Sequence, residues 1–231
     1  MQIHGLNKTT LLDYPGRVAA TIFLGSCNFR CPFCHNKDLV LYPSSQPVLS
    51  YEDILQFLKR RYGILTGVCI SGGEPTLHAD LPALIKDIKK LGYLIKLDTN
   101  GSNPQMIQTL YSQHLIDFVA MDIKTCPLDY ANVTDVSSVN MDYIYESVDY
   151  LMHSGIDYEF RTTVVKELHN VNTFQQIANW ISGCKDYYLQ SYKNSDTVIH
   201  KGFHSYTKEE MLIFVDILKN HMEHVSIRGI D

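Results

Sequence analysis

The chain has 231 residues, 45% of them hydrophobic, enough to bury the core of one large α/β domain or two small ones. Its 20 lysines and arginines against 25 aspartates and glutamates leave a net charge of −5, and the signs are interspersed, so no basic block points to nucleic acid or to an anionic membrane. No positively charged leader followed by an apolar run opens the chain, and no stretch approaches the roughly 20 apolar residues that cross a bilayer, so a cytoplasmic location is expected, where six cysteines serve better as thiolates than as a disulfide framework.

In chain order, the first buried-strand pattern covers residues 18–24 and runs into a cysteine loop, Gly25-Ser-Cys-Asn-Phe-Arg-Cys-Pro-Phe-Cys-His-Asn36. Ser50 then reads as the cap of an amphipathic helix over 51–62. A strand over 67–71 ends in Ser71-Gly-Gly-Glu-Pro75 and is followed by a helix over 81–91; a strand over 93–98 ends in Leu97-Asp-Thr-Asn-Gly101 and is followed by a helix over 104–114. The fourth strand, 118–122, ends in Met121-Asp-Ile-Lys124 before a helix over 142–154. The fifth, 158–165, carries Arg161 and precedes a helix over 173–182 with Asn172 as its cap. The sixth, 187–191, leads into Gln190-Ser-Tyr-Lys193, and a last helix spans 207–222.

Six strand–helix units in alternation predict a parallel sheet with helices packed outside, too few to close an eight-stranded barrel. The expected fold is α/β, an open, partial (β/α)6 barrel of the TIM type. A single domain over 1–231 is expected, with an N-terminal extension at 1–17, the barrel core at 18–193, and a helix and strand at 194–231. In such folds chemistry sits at the carboxyl ends of the strands. Six polar loops therefore converge on one face.

Cys27, Cys31 and Cys34 are spaced C-x3-C-x2-C with no fourth cysteine nearby. A structural zinc site wants four ligands, and His35, Cys69, Cys126 and Cys184 offer no finger-like spacing for the fourth. A four-iron cluster held by three thiolates leaves one iron open to an external ligand, which makes it a site for chemistry. The third reading, three buried cysteines in an apolar loop, fits poorly with Asn28, Arg30, His35 and Asn36.

This spacing with Phe33, followed after the next strand by Gly72-Gly-Glu-Pro75, resembles the radical S-adenosylmethionine (SAM) superfamily. The stretch Gly5-Leu-Asn-Lys-Thr-Thr-Leu-Leu-Asp-Tyr-Pro-Gly16, leading into the cysteine loop, is similar to activating enzymes of glycyl-radical proteins, most of all to the anaerobic ribonucleoside-triphosphate reductase activating type. The resemblance implies one [4Fe-4S] cluster on Cys27, Cys31 and Cys34, with SAM chelating the fourth iron. It implies that Gly72 and Gly73 approach the SAM amino group with Glu74 nearby, and that Asp98 and Thr99 meet its methionine end or a monovalent cation. By the same resemblance Asp122 and Lys124 form the Asp-x-Lys strand end with Lys124 on the SAM carboxylate, Arg161 is a second candidate for that carboxylate, and Phe33 lies against the adenine.

Reduction by a flavodoxin- or ferredoxin-type donor would then cleave SAM to methionine and a 5′-deoxyadenosyl radical aimed at a glycine α-hydrogen of a partner. No catalytic residue beyond the cluster-bound SAM is implied. Only 37 residues separate the cluster loop from the glycine pair, too few for the extra clusters of some relatives. Lys193 stands where some activases have a histidine, and Cys126 and Cys184 read as structural. Two further functional readings stand beside the activase: a radical SAM enzyme acting on a small molecule or peptide, such as a deazaguanine-type synthase, and a non-enzymatic zinc module.

Overall fold

The computed structural model describes residues 1–230. Eight strands form one sheet in the spatial order of the sequence. Strand β1 (Ile3–Thr10) is antiparallel to β2 (Ala19–Leu24). From β2 onward every neighbour is parallel: β3 (Gly67–Gly72), β4 (Leu94–Thr99), β5 (Phe118–Asp122), β6 (Asp157–Val164), β7 (Asp186–Ser191) and β8 (His224–Arg228). The strand order begins at β1 and ends at β8, so the sheet is an open, partial barrel. The six predicted barrel strands gain β1 at one edge, and the strand expected within 194–231 joins at the other as β8.

Eight helices occupy the connections: α1 (Lys37–Leu41), α2 (Tyr51–Arg60), α3 (Leu81–Lys89), α4 (Pro104–Ser112), α5 (Tyr130–Thr134), α6 (Met141–His153), α7 (Val171–Trp180) and α8 (Lys208–Leu218). Their apolar stripes cover the sheet: Ile54 and Leu58 of α2, Leu84, Ile85 and Ile88 of α3, and Ile107 and Leu110 of α4 are all buried. α7 and α8 are locked by Phe174 stacked on Phe214, with ring centres 4.4 Å apart. No helix among the described residues is long and apolar enough to cross a membrane.

Ser50 caps α2 as the sequence suggests, accepting from the Asp53 amide at 3.1 Å. The cap of α7 is Asn170 rather than Asn172. Asn170 accepts from the Thr173 amide at 3.1 Å while the Thr173 hydroxyl accepts from the Asn170 amide at 3.2 Å, and this reciprocal box outcompetes the later asparagine.

Register positions the site. Leu24 of β2 stands opposite Gly72 of β3, so the cysteine loop and the glycine loop leave the sheet side by side. Asp122 of β5 stands opposite Arg161 of β6. The partners of the central ion pair are thus delivered by strand pairing alone.

Candidate active site

The cysteine loop is held open by its own backbone. Ser26 adopts a left-handed conformation (φ 69°), and its amide donates to the Leu39 carbonyl of α1 at 2.8 Å. The Arg30 amide donates to the Thr134 carbonyl of α5 at 2.9 Å, and the Cys34 amide to the Cys31 carbonyl at 2.9 Å. The Arg30 and Asn36 side chains fold back, to the Phe29 carbonyl at 2.8 Å and the Gly72 carbonyl at 2.6 Å. Polar residues therefore build the loop rather than merely expose it.

The three thiols are free and face one cavity of about 220 Å³. Burial pushes Cys27 up to about 12 and Cys31 up to about 11, and raises Cys34. The Cys27 sulfur already accepts from the Phe29 amide at 3.4 Å and from Asn100 Nδ2 at 3.9 Å. Such donors stabilise a metal-bound thiolate.

The glycine pair packs backbone to backbone against the cysteine loop. Gly72 has φ 117°, and the Gly73 and Glu74 amides donate to the Leu24 and Ser26 carbonyls, both at 2.8 Å. A Cβ at Gly73 would land on the Ser26 carbonyl oxygen, so a side chain there collides with the cysteine loop. Gly73→Val is accordingly expected to lower the iron content of the reconstituted protein along with its SAM binding. Full iron loading in that variant, measured by metal analysis, would show that the close packing is dispensable.

Glu74 is also a brace. Its carboxylate is 1% exposed and accepts from the Thr76 amide (3.1 Å), the Thr76 hydroxyl (2.5 Å), the Thr99 hydroxyl (2.8 Å) and the Asn100 amide (2.7 Å). Burial pushes its pKa up against the pull of these donors. The two bonds from Thr76 fix the carboxylate within its own loop, and the two from Thr99 and Asn100 tie the end of β3 to the end of β4. The sequence placed Glu74 beside the cationic end of SAM; the structure shows a lining residue whose oxygens are held by protein.

A row of charges crosses the barrel above this brace. Lys96 and Asp98 share one face of β4 and form an ion pair. Asp98 also accepts from Ser71 Oγ at 3.0 Å and lies 3.5 Å from Arg161. Arg161 reaches Asp122 at 2.9 Å, and Lys124 pairs with the other Asp122 oxygen at 2.9 Å. Burial opposes the charges on Asp98, Asp122, Lys124 and Arg161, yet Arg161 and then Lys124 hold Asp122 down to about 2, Arg161 and Lys96 lower Asp98, and Asp122 raises both Lys124 and Arg161. These four groups stay charged.

The cavity brings together all twelve residues singled out in the sequence: Cys27, Cys31, Cys34, Phe33, Gly72, Gly73, Glu74, Asp98, Thr99, Asp122, Lys124 and Arg161. Phe33 is buried, its ring edge-on to His169 at 6.4 Å between centres, with one side on the cavity. Lys193 lies instead on a neighbouring cavity of about 730 Å³.

Four positioning residues, Lys96, Asn100, His169 and Tyr130, went unnoticed in the sequence. Lys96 follows the ordinary alternation of a strand, and Asn100 sits in what reads as a tight turn. His169 is buried and neutral: its Nδ1 accepts from the Val165 amide at 3.0 Å, so its Nε2–H donates to the Lys124 carbonyl at 2.9 Å. Tyr130 Oη accepts from the Lys124 amide at 3.2 Å, and Lys124 is gripped on both sides of its backbone.

The model of the radical SAM superfamily matches residues 21–181, from β2 to just past α7. The chain belongs to the radical SAM superfamily. As a radical SAM protein it is an enzyme, in a family built on an iron–sulfur cluster and SAM. Over 99% of its length it is 28% identical to a candidate glycyl-radical enzyme activating enzyme of Methanocaldococcus jannaschii, covering 96% of that protein. It is 34% identical to the 7-carboxy-7-deazaguanine synthase of Neisseria meningitidis, but only across 48% of this chain and 46% of the relative. Among solved structures, a domain of the pyruvate-formate lyase-activating enzyme from Bacteroides vulgatus superposes with a TM-score of 0.58 at 17% identity, over 71% of this chain and 99% of that one. This likeness supports the partial-barrel fold.

The residues fit the family's cofactors. Three thiols without disulfide partners, Cys31 buried and Cys27 and Cys34 half-buried, with amide donors aimed at one sulfur, suit iron, whose positive charge offsets the cost of desolvated thiolates. Among the described residues, no three histidine, cysteine or acidic side chains are placed to hold a single ion, whereas a cluster spreads its thiolates over separate irons.

Proposed function

We propose that this radical SAM enzyme is an activase that abstracts a glycine α-hydrogen from a partner enzyme of the anaerobic ribonucleotide reductase kind. One observation carries the reading: likeness to the activating enzyme runs the full length of the chain, whereas likeness to the deazaguanine synthase stops at about half. Cys27, Cys31 and Cys34 would hold one [4Fe-4S] cluster, and Lys124 with Arg161 would meet the carboxylate of SAM. When bound, cluster and SAM supply one electron and a primary carbon radical.

The protein's contribution is placement. Lys124, clamped through His169 and Tyr130, presents a fixed cation. Glu74, wholly occupied by the threonines and Asn100, keeps two loops at constant distance. The cofactor cavity shares His35, Asp98, Arg161 and Thr163 with the 730 Å³ cavity, whose rim carries Leu11 and Leu12 at 71% and 89% exposure. An extended protein loop can enter there and bring its own contact surface. A flavodoxin- or ferredoxin-type protein would supply the electron.

The test is electron paramagnetic resonance of reduced enzyme with SAM and the cognate glycyl-radical partner. A doublet from one glycine α-hydrogen is expected, and deuterating that carbon should collapse it and carry deuterium into 5′-deoxyadenosine. The second reading, a small-molecule radical SAM enzyme, draws on the half-chain likeness to the deazaguanine synthase. Turnover of a small molecule with no such doublet would replace the first reading by the second.

A further inference from the structure

A lysine sealed inside a barrel needs an explanation. Lys96 is 1% exposed, and the ordinary cost of burying an ammonium is several kcal/mol unless a partner offsets it. Its partner is Asp98, and its other close polar neighbour is the buried Cys69 thiol at 3.9 Å. Asp98 also lines the cofactor cavity, so Lys96 acts on that cavity through Asp98. Along the row, the two carboxylates Asp98 and Asp122 are matched by three tethered cations, Lys96, Arg161 and Lys124.

We propose that Lys96 is a built-in counter-cation, its ammonium holding Asp98 in the place a soluble monovalent cation would otherwise take, so that the site needs no alkali ion. The Asp98 carboxylate and the Ser71 hydroxyl are hard oxygen ligands of the kind that bind such ions. Lys96 also lines the larger cavity, which gives an ion a way in once the side chain is cut back. A tethered cation differs from a soluble one in a measurable respect: the site keeps its geometry whatever salt surrounds it. The effect on SAM rests on the cofactor reading above; the effect on the protein alone does not.

The experiment compares the wild type with Lys96→Met in potassium, sodium and tetramethylammonium chloride at equal ionic strength. In the apoprotein, wild type should melt alike in the three salts. Lys96→Met should melt at least about 5 °C lower in tetramethylammonium and recover in potassium or sodium. In the reconstituted protein, anaerobic titration should give a SAM affinity about tenfold weaker for Lys96→Met in tetramethylammonium, restored by an alkali ion, with no salt preference in the wild type.

A variant that responds equally to all three salts, or a wild type whose SAM affinity needs potassium or sodium, overturns the proposal. If wild type binds no SAM, the cofactor reading fails and the melting data still decide the role of Lys96. If Lys96→Met does not fold, Lys96→Met with Asp98→Asn removes both charges; recovery of the fold without salt preference supports the proposal, and a double variant that stays unfolded or prefers an alkali ion overturns it.

Discussion

Alanine at any one of Cys27, Cys31 or Cys34 is expected to abolish reductive cleavage of SAM, a loss beyond the roughly 10- to 100-fold that outer-shell changes cause at metal sites. The three thiols stand on one short loop between β2 and α1, facing one cavity. Each would hold a different iron, so neighbouring thiols cannot cover for a missing one. Cys126→Ala and Cys184→Ala are the controls. Both residues are fully buried away from the cavity, and replacing either removes only a small apolar volume, at a cost of about 1 kcal/mol in stability. Methionine and 5′-deoxyadenosine released under anaerobic reduction measure the effect. Full activity in Cys31→Ala would remove the cluster assignment.

The fold was readable because a parallel strand buried on both faces writes itself as a nearly continuous apolar run. Residues 118–122 show it without error, since Phe118–Asp122 is the strand observed. The antiparallel strand β1 was harder. Ile-His-Gly-Leu-Asn-Lys-Thr-Thr has a burial pattern with only its first and last residues fully buried, which is how an edge strand reads. At the site, residues that line the cavity were legible from their position at strand ends. What they do there was not, because the role of Gly73 depends on Ser26 across the sheet and that of Glu74 on Thr99 and Asn100 in the next loop. One pattern was read at only one of its two places: Lys96 and Asp98 in β4, like the Asp-x-Lys of Asp122 and Lys124 at the end of β5, are opposite charges two residues apart. In a strand, that spacing puts both on one face. On buried strands it marks charges paired inside the barrel.

Arg161→Met should cost the largest stability of any single change in this row, about 3 kcal/mol or more at neutral pH, because it removes the one cation that bridges two buried carboxylates and replaces it with an apolar side chain that cannot offset their repulsion. Arg161 is the one cation that touches both carboxylates, and only 12% of its side chain is exposed. Without it Asp98 keeps Lys96 and Asp122 keeps Lys124, but the two carboxylates face each other across the gap. In the wild type Asp122 titrates at about 2, below its ordinary 3.8. Its contribution to stability is therefore complete above about pH 4 and is lost as pH falls through 2. Arg161 itself has a raised pKa, so its own contribution is lost only far into the alkaline range. In the variant the Asp122 pKa rises, a proton relieves the repulsion, and acid stabilises what it weakens in the parent. The gap between the two proteins should be widest near pH 7 and narrow toward pH 3. Urea unfolding of the apoproteins across that range measures it, with Arg161→Lys, which keeps the charge but loses the fork, falling between them. A gap that stays constant with pH would mean that Arg161 stabilises by packing rather than by holding two carboxylates apart.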